Sequence, residues 1–140
     1  MADFDPRKLN KHAFNSLTNL RNKHQELIPD FEKAKKGLKD QKNQAQELYT
    51  YISTWGLMRL KAEEKAISKD QEERRNVVKS FFKDLQELAD RNDLAGEDDL
   101  KNLIKLSADD YLGLTGLAIE LANEFSFWAN AVYHDIKGAQ

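Results

Sequence analysis

Apolar residues recur every three or four positions along almost the whole chain, a spacing that places them on one side of an α-helix. Asp5 followed by Pro6 predicts the start of a first helix, because aspartate suits the capping position and proline costs nothing at the first helical position. This helix is expected to end near Leu27. Its predicted buried face comprises Leu9, Ala13, Phe14, Leu17 and Leu20.

The pattern restarts after the segment Ile28-Pro29-Asp30, which predicts a second helix that breaks near Thr54-Trp55-Gly56. A charged third helix is expected from Leu57 to about Ile67. Ser68 and Gln71 have the spacing of a capping box, and the stripe from Val77 to Leu88 predicts a well-buried fourth helix.

The clearest loop runs from Asp93 to Gly96, and the acids of residues 97–99 favour the first turn of a short helix. Ser107 is the expected cap of a long last helix, with Leu106 and Tyr111 at the positions of a hydrophobic staple. No segment favours a strand. The sequence therefore predicts an all-α fold, a single-domain bundle of five to six helices over residues 1–140 with a long C-terminal helix.

Composition narrows the class of protein further. The 140 residues contain no cysteine, which excludes disulfides and thiolate metal sites and fits a reducing compartment. No apolar run is long enough to span a bilayer, and the acidic residues 1–6 lack the apolar core of an export signal. We therefore expect a cytoplasmic protein that has no contact with a membrane.

Charge is distributed unevenly along the chain. Residues 1–83 carry a formal charge of +6 and residues 84–140 carry −8, although the whole chain carries only −2. Such asymmetry favours one surface suited to polyanions and another suited to basic partners. The alternative, uneven scatter of solvated charge, remains equally open at this level.

A search for catalytic or metal-binding patterns finds none, and no enzyme activity, metal or cofactor is expected. None of His12, His24 and His134 follows a carboxylate at the spacing of a di-iron bundle or belongs to a zinc-protease motif. All three are interpreted as surface or half-buried side chains. Gly113 and Gly116 have the spacing of a nucleic-acid-clamping loop. Because they lie in a helical apolar stretch, close helix packing is the preferred explanation.

The basic residues give the strongest functional signal. Rows of lysine and arginine at helical spacing can follow a phosphate backbone without sequence preference. The candidate RNA-binding residues are Lys35, Lys39, Lys42, Arg59, Lys61, Arg75 and Lys79. Because acidic residues lie close to these cations in the sequence, a simpler interpretation than RNA binding stays open, namely a solvated charged face.

The C-terminal helix carries large apolar groups on more than one side. Phe125, Trp128, Val132 and Ile136 share one stripe and are expected in the core. Phe127 and Tyr133 are the candidates for a protein interface, since surplus apolar surface often marks one. A central helix that touches three neighbours would show the same pattern.

Two segments resemble the small subunit of type III CRISPR effector complexes, the Cmr small-subunit family. Residues 51–60, Tyr-Ile-Ser-Thr-Trp-Gly-Leu-Met-Arg-Leu, are similar to that family's apolar helix that ends in Gly-Leu and resumes as another helix. Residues 111–122, Tyr-Leu-Gly-Leu-Thr-Gly-Leu-Ala-Ile-Glu-Leu-Ala, are similar to its closing helix, and Trp128-Ala129 falls where the family has an aromatic-Ala pair.

This resemblance implies a non-catalytic helical subunit of a CRISPR ribonucleoprotein in antiviral defence. Its copies would stack along the inner filament, touching other subunits and the backbone of the guide and target RNA. The competing hypothesis is a helical adaptor or scaffold that binds a partner protein through its C-terminal apolar surface and does not contact nucleic acid.

Overall fold

A computed structural model describes residues 5–137 of the chain. The expectation about an export signal falls partly on residues 1–4, which lie outside the described residues. The described part forms six α-helices, which confirms the predicted all-α fold. They are α1 (Pro6–Leu27), α2 (Phe31–Trp55), α3 (Leu57–Ala66), α4 (Glu72–Leu88), α5 (Asp99–Lys105) and the long C-terminal α6 (Ala108–Val132).

The four long helices form the body of the bundle. Helices α1 and α2 both pack extensively on α6, and α4 packs against α1 and α2. The shorter α3 contacts α2 and α4, while α5 packs on α3. One core joins them, in which the rings of Phe81, Phe82 and Phe125 meet edge to face. No helix between residues 5 and 137 is both long and apolar enough to cross a bilayer.

Helix starts follow the local sequence where a capping side chain was expected. Asp5 accepts a hydrogen bond from the backbone N–H of Arg7 at 3.0 Å, and Asp30 accepts one from Glu32 at 2.9 Å. Ser107 accepts one from the N–H of Asp110 at 3.2 Å. Each bond satisfies a backbone donor that has no partner within its helix.

The predicted capping box at Ser68 is wrong. The Ser68 hydroxyl donates to the carboxylate of Asp70 instead of accepting from a helix amide. Residues Lys69–Gln71 form a 3₁₀ turn, closed by the backbone bond from Gln71 N–H to Ser68 O, and α4 begins only at Glu72. The pattern required the Ser68 oxygen to accept a hydrogen bond, whereas the nearby Asp70 carboxylate makes the hydroxyl a donor.

The break between α2 and α3 lies at Gly56, as predicted. Gly56 has a φ of 93°, a conformation that side-chain-bearing residues rarely adopt. The next exposed amide, Met58 N–H, donates to the Tyr111 hydroxyl of α6 at 2.9 Å. Tyr111, which lies 53 positions after Met58 in the sequence, therefore caps the start of α3.

Candidate nucleic-acid interface

Lys61 does not belong to an RNA-binding surface, which corrects the sequence prediction. Its side chain is only 1% exposed, and its ammonium lies 3.0 Å from Glu64 and 2.8 Å from Asp99. It also lies 4.0 Å from the centre of the Phe82 ring. A cation held by two carboxylates inside the bundle cannot follow a polyanion.

Two further predicted cations are used by the fold. Lys42 is half-buried and donates to the carbonyls of Tyr133 and Ile136, just beyond the end of α6. A lysine at this place offsets the negative end of the helix dipole. Its ammonium is thus directed at α6 and not at solvent.

Arg75, on α4, is held against the end of α3. Its guanidinium donates to the carbonyls of Glu64 and Ile67 at the end of α3, and to the Glu72 carboxylate at 3.0 Å. Because Lys42 contacts α6, Arg75 contacts α3 and Lys61 is internal, the predicted cations do not form a common face.

The remaining four are at the surface. Lys35 pairs with Glu32 at 3.2 Å, and the Arg59 guanidinium lies 4.7 Å from the centre of the Trp55 ring. Lys39 and Lys79 are exposed and form no hydrogen bond or ion pair with the residues described. Of the seven candidates, these two are the exposed lysines that have no acidic partner among the described residues.

Lys79 belongs to a different surface, a groove between α1 and α4 that carries charges of both signs. The groove is lined by lysines, by amide and hydroxyl side chains and by three carboxylates, and we call it the α1–α4 groove. Its lining includes Lys23, Lys79, Lys83, Asn15, Asn19, Asn76, Ser16, Ser80, Glu73, Asp84 and Glu87. Lysine, asparagine and serine are residue types that commonly contact nucleic-acid phosphates.

Sequence reasoning missed Lys23 in this groove, and it placed Lys83 in the same basic row as Lys79 without including it among the seven candidates. Lys83 follows Lys79 by one helical turn, but Lys23 comes from α1 and becomes a neighbour only because α1 packs against α4. Helical spacing identifies residues on one side of one helix and carries no signal for this pairing.

The floor of the groove holds a histidine–carboxylate pair. His12 Nδ1 lies 3.1 Å from Asp84 Oδ1, and the Ser16 hydroxyl donates to Asp84 Oδ2 at 2.5 Å. Burial raises the pKa of Asp84, although the hydrogen bonds from Ser16 and His12 oppose this shift. Asp84 is thus a buried acid with both oxygens in contact with polar groups.

The histidines confirm the sequence interpretation only in part. His12 is half-buried and His134 is exposed, as expected. His24 is buried, which is a correction: its Nε2 lies 3.2 Å from the carbonyl of Ala34 and its Nδ1 lies 3.5 Å from Glu73. The ring fills the space beside Gly37 between α1 and α2.

The two predicted interface residues, Phe127 and Tyr133, differ sharply in solvent exposure. Phe127 is 60% exposed, as an interface residue must be, whereas Tyr133 is fully buried and its hydroxyl donates to Gln41 at 2.6 Å. Tyr133 is a core residue, which corrects the prediction. It lies just beyond the last turn of α6, where the chain folds onto α1 and α2.

An exposed aromatic strip links α1 to α6. Phe127 packs edge to face on Trp128, which packs in the same way on Phe14, with ring centres 5.1 and 5.4 Å apart. Phe14 was predicted to be buried but is 43% exposed. The strip of Phe14, Trp128 and Phe127 is thus an apolar surface.

Gly113 and Gly116 do not pack closely against another helix, contrary to the expectation. A side-chain carbon built at either position meets no atom within 4 Å, so both lie on an open face of α6. No described residue explains why glycine occupies these two places in a helix.

Comparison with known proteins adds no relative: no family model, no curated protein and no solved structure matches the chain.

Proposed function

We propose that this chain is a non-catalytic small subunit of a type III CRISPR RNA-guided effector complex. It stacks with further copies along the inner filament and contacts the backbone of guide and target RNA. The observation that carries the RNA contact is the α1–α4 groove, where Lys23, Lys79 and Lys83 lie among amide and hydroxyl side chains, with the carboxylates of Glu73, Asp84 and Glu87 in the same lining. The groove replaces the face first inferred from helical spacing.

The two segments that resemble the Cmr small-subunit family support the proposal because they meet in space. Residues 51–60 cross the break at Gly56, residues 111–122 lie in α6, and the Tyr111–Met58 hydrogen bond joins them. Ordinary apolar helix segments need not contact each other through a specific polar bond. The two segments therefore meet at one junction in the fold.

Charge polarity supports contacts between copies. Exposed acids cluster in sequence around α5 and the start of α6, at Glu97, Asp98, Asp109 and Asp110. These acids suit a basic surface on a neighbouring copy or on another subunit. Head-to-tail contacts between unlike surfaces build open filaments and not closed rings.

The test is reversal of charge at the groove. Full-length protein carrying Lys23→Glu, Lys79→Glu and Lys83→Glu is assembled with its partner subunits, and binding of a guide–target RNA duplex is measured over a salt series. Each lost phosphate contact reduces the salt slope of log K by roughly 0.7–0.9, so the slope should fall by about 2.

The matched control reverses three exposed lysines outside both the groove and the acidic surface around α5, namely Lys33, Lys69 and Lys137. This variant has the same net charge as the groove variant. RNA affinity should stay close to that of the wild-type complex in the control and fall at least tenfold in the groove variant. An equal loss in both variants would show a non-specific charge effect, and no loss in either would exclude the groove as the RNA contact.

The second candidate function is a helical adaptor that binds a partner protein without nucleic acid. The exposed strip of Phe14, Trp128 and Phe127 favours it, since aromatic residues are enriched in interface cores. Under this alternative, Phe127→Ser abolishes capture by the partner, partner retention is insensitive to salt, and the groove variant behaves as wild type.

A further inference from the structure

Three potential metal ligands converge at the floor of the α1–α4 groove. Asp84 and Glu87 are three residues apart on α4 and share one side of that helix, while His12 reaches them from α1. One ligand atom from each of the three residues lies within 4.8 Å of the other two. The His12–Asp84 contact therefore belongs to a three-residue cluster.

The hydrogen bonding of His12 leaves one of the two carboxylates without a full donor. His12 Nδ1 lies 3.1 Å from Asp84 Oδ1 and 3.6 Å from Glu87 Oε2, and both oxygens are acceptors. A ring nitrogen carries at most one hydrogen, so it can donate fully to only one of them. A divalent cation between the three atoms would bind all of them at once.

The two nitrogen–oxygen distances suit a small transition-metal ion. Zinc binds imidazole nitrogen and carboxylate oxygen at about 2.0–2.1 Å, which in a tetrahedron places neighbouring ligand atoms about 3.3 Å apart. The two nitrogen–oxygen separations of 3.1 and 3.6 Å bracket this value. A small change of the Glu87 rotamer would bring its oxygen to the required distance. This side chain is 56% exposed and free to move.

The surroundings of the cluster resemble those of a supported site. The Ser16 hydroxyl holds the second oxygen of Asp84 at 2.5 Å, the kind of outer contact that orients a ligating carboxylate. Exposure rises from Asp84 through His12 to Glu87, so an ion could enter from the groove and bind Glu87 on the solvent side. Lys23 and Lys83 line the same groove and would repel a bare cation.

We propose that His12, Asp84 and Glu87 bind one Zn²⁺ ion, with a fourth coordination position open to the groove. The imidazole selects a transition metal over Mg²⁺ or Ca²⁺, which prefer oxygen ligands alone. A water or a small anion fills the open position, where the two lysines favour negative charge. The site shares the groove with the proposed RNA contact, but Zn²⁺ binding requires neither a nucleic acid nor a partner subunit and can be tested on the isolated chain.

The test is calorimetric titration of the full-length protein with Zn²⁺, and with Mg²⁺ for comparison. We expect one Zn²⁺ per chain and no comparable Mg²⁺ binding. Glu87→Gln should weaken Zn²⁺ binding roughly tenfold or more, as should His12→Ala. Glu87→Gln is the decisive variant because it leaves the buried contacts among His12, Asp84 and Ser16 in place, so the protein stays folded.

Two controls separate this site from incidental binding. Glu120→Gln on α6 and His134→Ala remove an exposed acid and an exposed histidine elsewhere, and both should bind Zn²⁺ as the wild type does. Substitution with Co²⁺ should give visible absorption bands of a tetrahedral ion that Glu87→Gln changes. Absent Zn²⁺ binding, or equal affinity in Glu87→Gln and in wild type, would overturn the proposal.

Discussion

The ammonium of Lys61 lies 2.8 Å from the Asp99 carboxylate in the interior of the bundle, and this pair fastens α3 to α5. Lys61→Met removes the cation that balances the negative charges of Asp99 and Glu64. Both of these carboxylates are buried. Breaking a buried pair from one side is strongly destabilising, and we expect a loss of about 3 kcal/mol in the free energy of unfolding. Urea denaturation followed by circular dichroism measures it.

Lys65 is the matched control for this substitution. It also contacts Asp99, at 2.9 Å, but its side chain is 42% exposed. Because exposed pairs contribute little, Lys65→Met should cost less than about 1 kcal/mol. Similar losses for the two methionine variants would contradict the special role assigned to burial at Lys61.

The same cluster makes stability depend on pH. Burial opposes the charged form of Asp99, but the hydrogen bonds from Lys61 and Lys65 outweigh it and lower the pKa of Asp99 to about 2. An unfolded aspartate has a pKa of about 3.9. The charged carboxylate thus stabilises the folded state above pH 4, and this contribution disappears as the pH falls towards 2.

Comparison of wild type with Asp99→Asn isolates this effect. The wild type should be the more stable protein at pH 5, and its advantage should shrink by about 2 kcal/mol between pH 5 and pH 2.5. Urea denaturation at several pH values measures the advantage. A difference between the two proteins that stays constant over this range would exclude Asp99 as the source.

Tyr133 and Phe127, which sequence alone placed together, should respond differently to substitution. Tyr133→Phe removes the hydroxyl that donates to Gln41 and leaves a buried amide oxygen without its donor. The expected cost is about 1–2 kcal/mol. Phe127→Ala removes an exposed ring and should change stability by no more than about 0.5 kcal/mol. Thermal unfolding distinguishes them, and a larger loss for Phe127→Ala would refute the assignment.

Most features determined by neighbours along the chain were predictable, although the capping box at Ser68 was not. Asp5, Asp30 and Ser107 cap helices because the groups they bind lie two or three residues away. The break between α2 and α3 was predictable for the same reason, because it depends on the glycine at position 56. Helix number, order and class follow from such signals together with the apolar spacing.

Features determined by packing were not predictable. Lys61 was assigned to the surface because helical spacing does not reveal that α5 brings Asp99 next to it. His12 and Asp84 are 72 positions apart, so no motif search of the sequence pairs them. The candidate site could therefore be identified only from the tertiary structure, whereas each of the helices that form it could be predicted from the sequence.

Glycine-to-alanine substitutions should have opposite effects in α2 and α6. At Gly37, an added Cβ would lie 2.2 Å from Nε2 of the buried His24 ring, which is held against the Ala34 carbonyl. Alanine stabilises a helix by about 1 kcal/mol relative to glycine, but this clash should cost more. We expect Gly37→Ala to destabilise the protein by about 1–2 kcal/mol net.

Gly113→Ala and Gly116→Ala test the same substitution on an open helix face. A Cβ meets no atom within 4 Å at either position, so only the gain in helix propensity remains. Each substitution should raise the free energy of unfolding by about 0.5–1 kcal/mol, visible as a higher midpoint in urea. Destabilisation by either would mean that the α6 face is not open in the isolated chain. If both stabilise the chain yet weaken its assembly into a complex, the glycines serve an approaching partner.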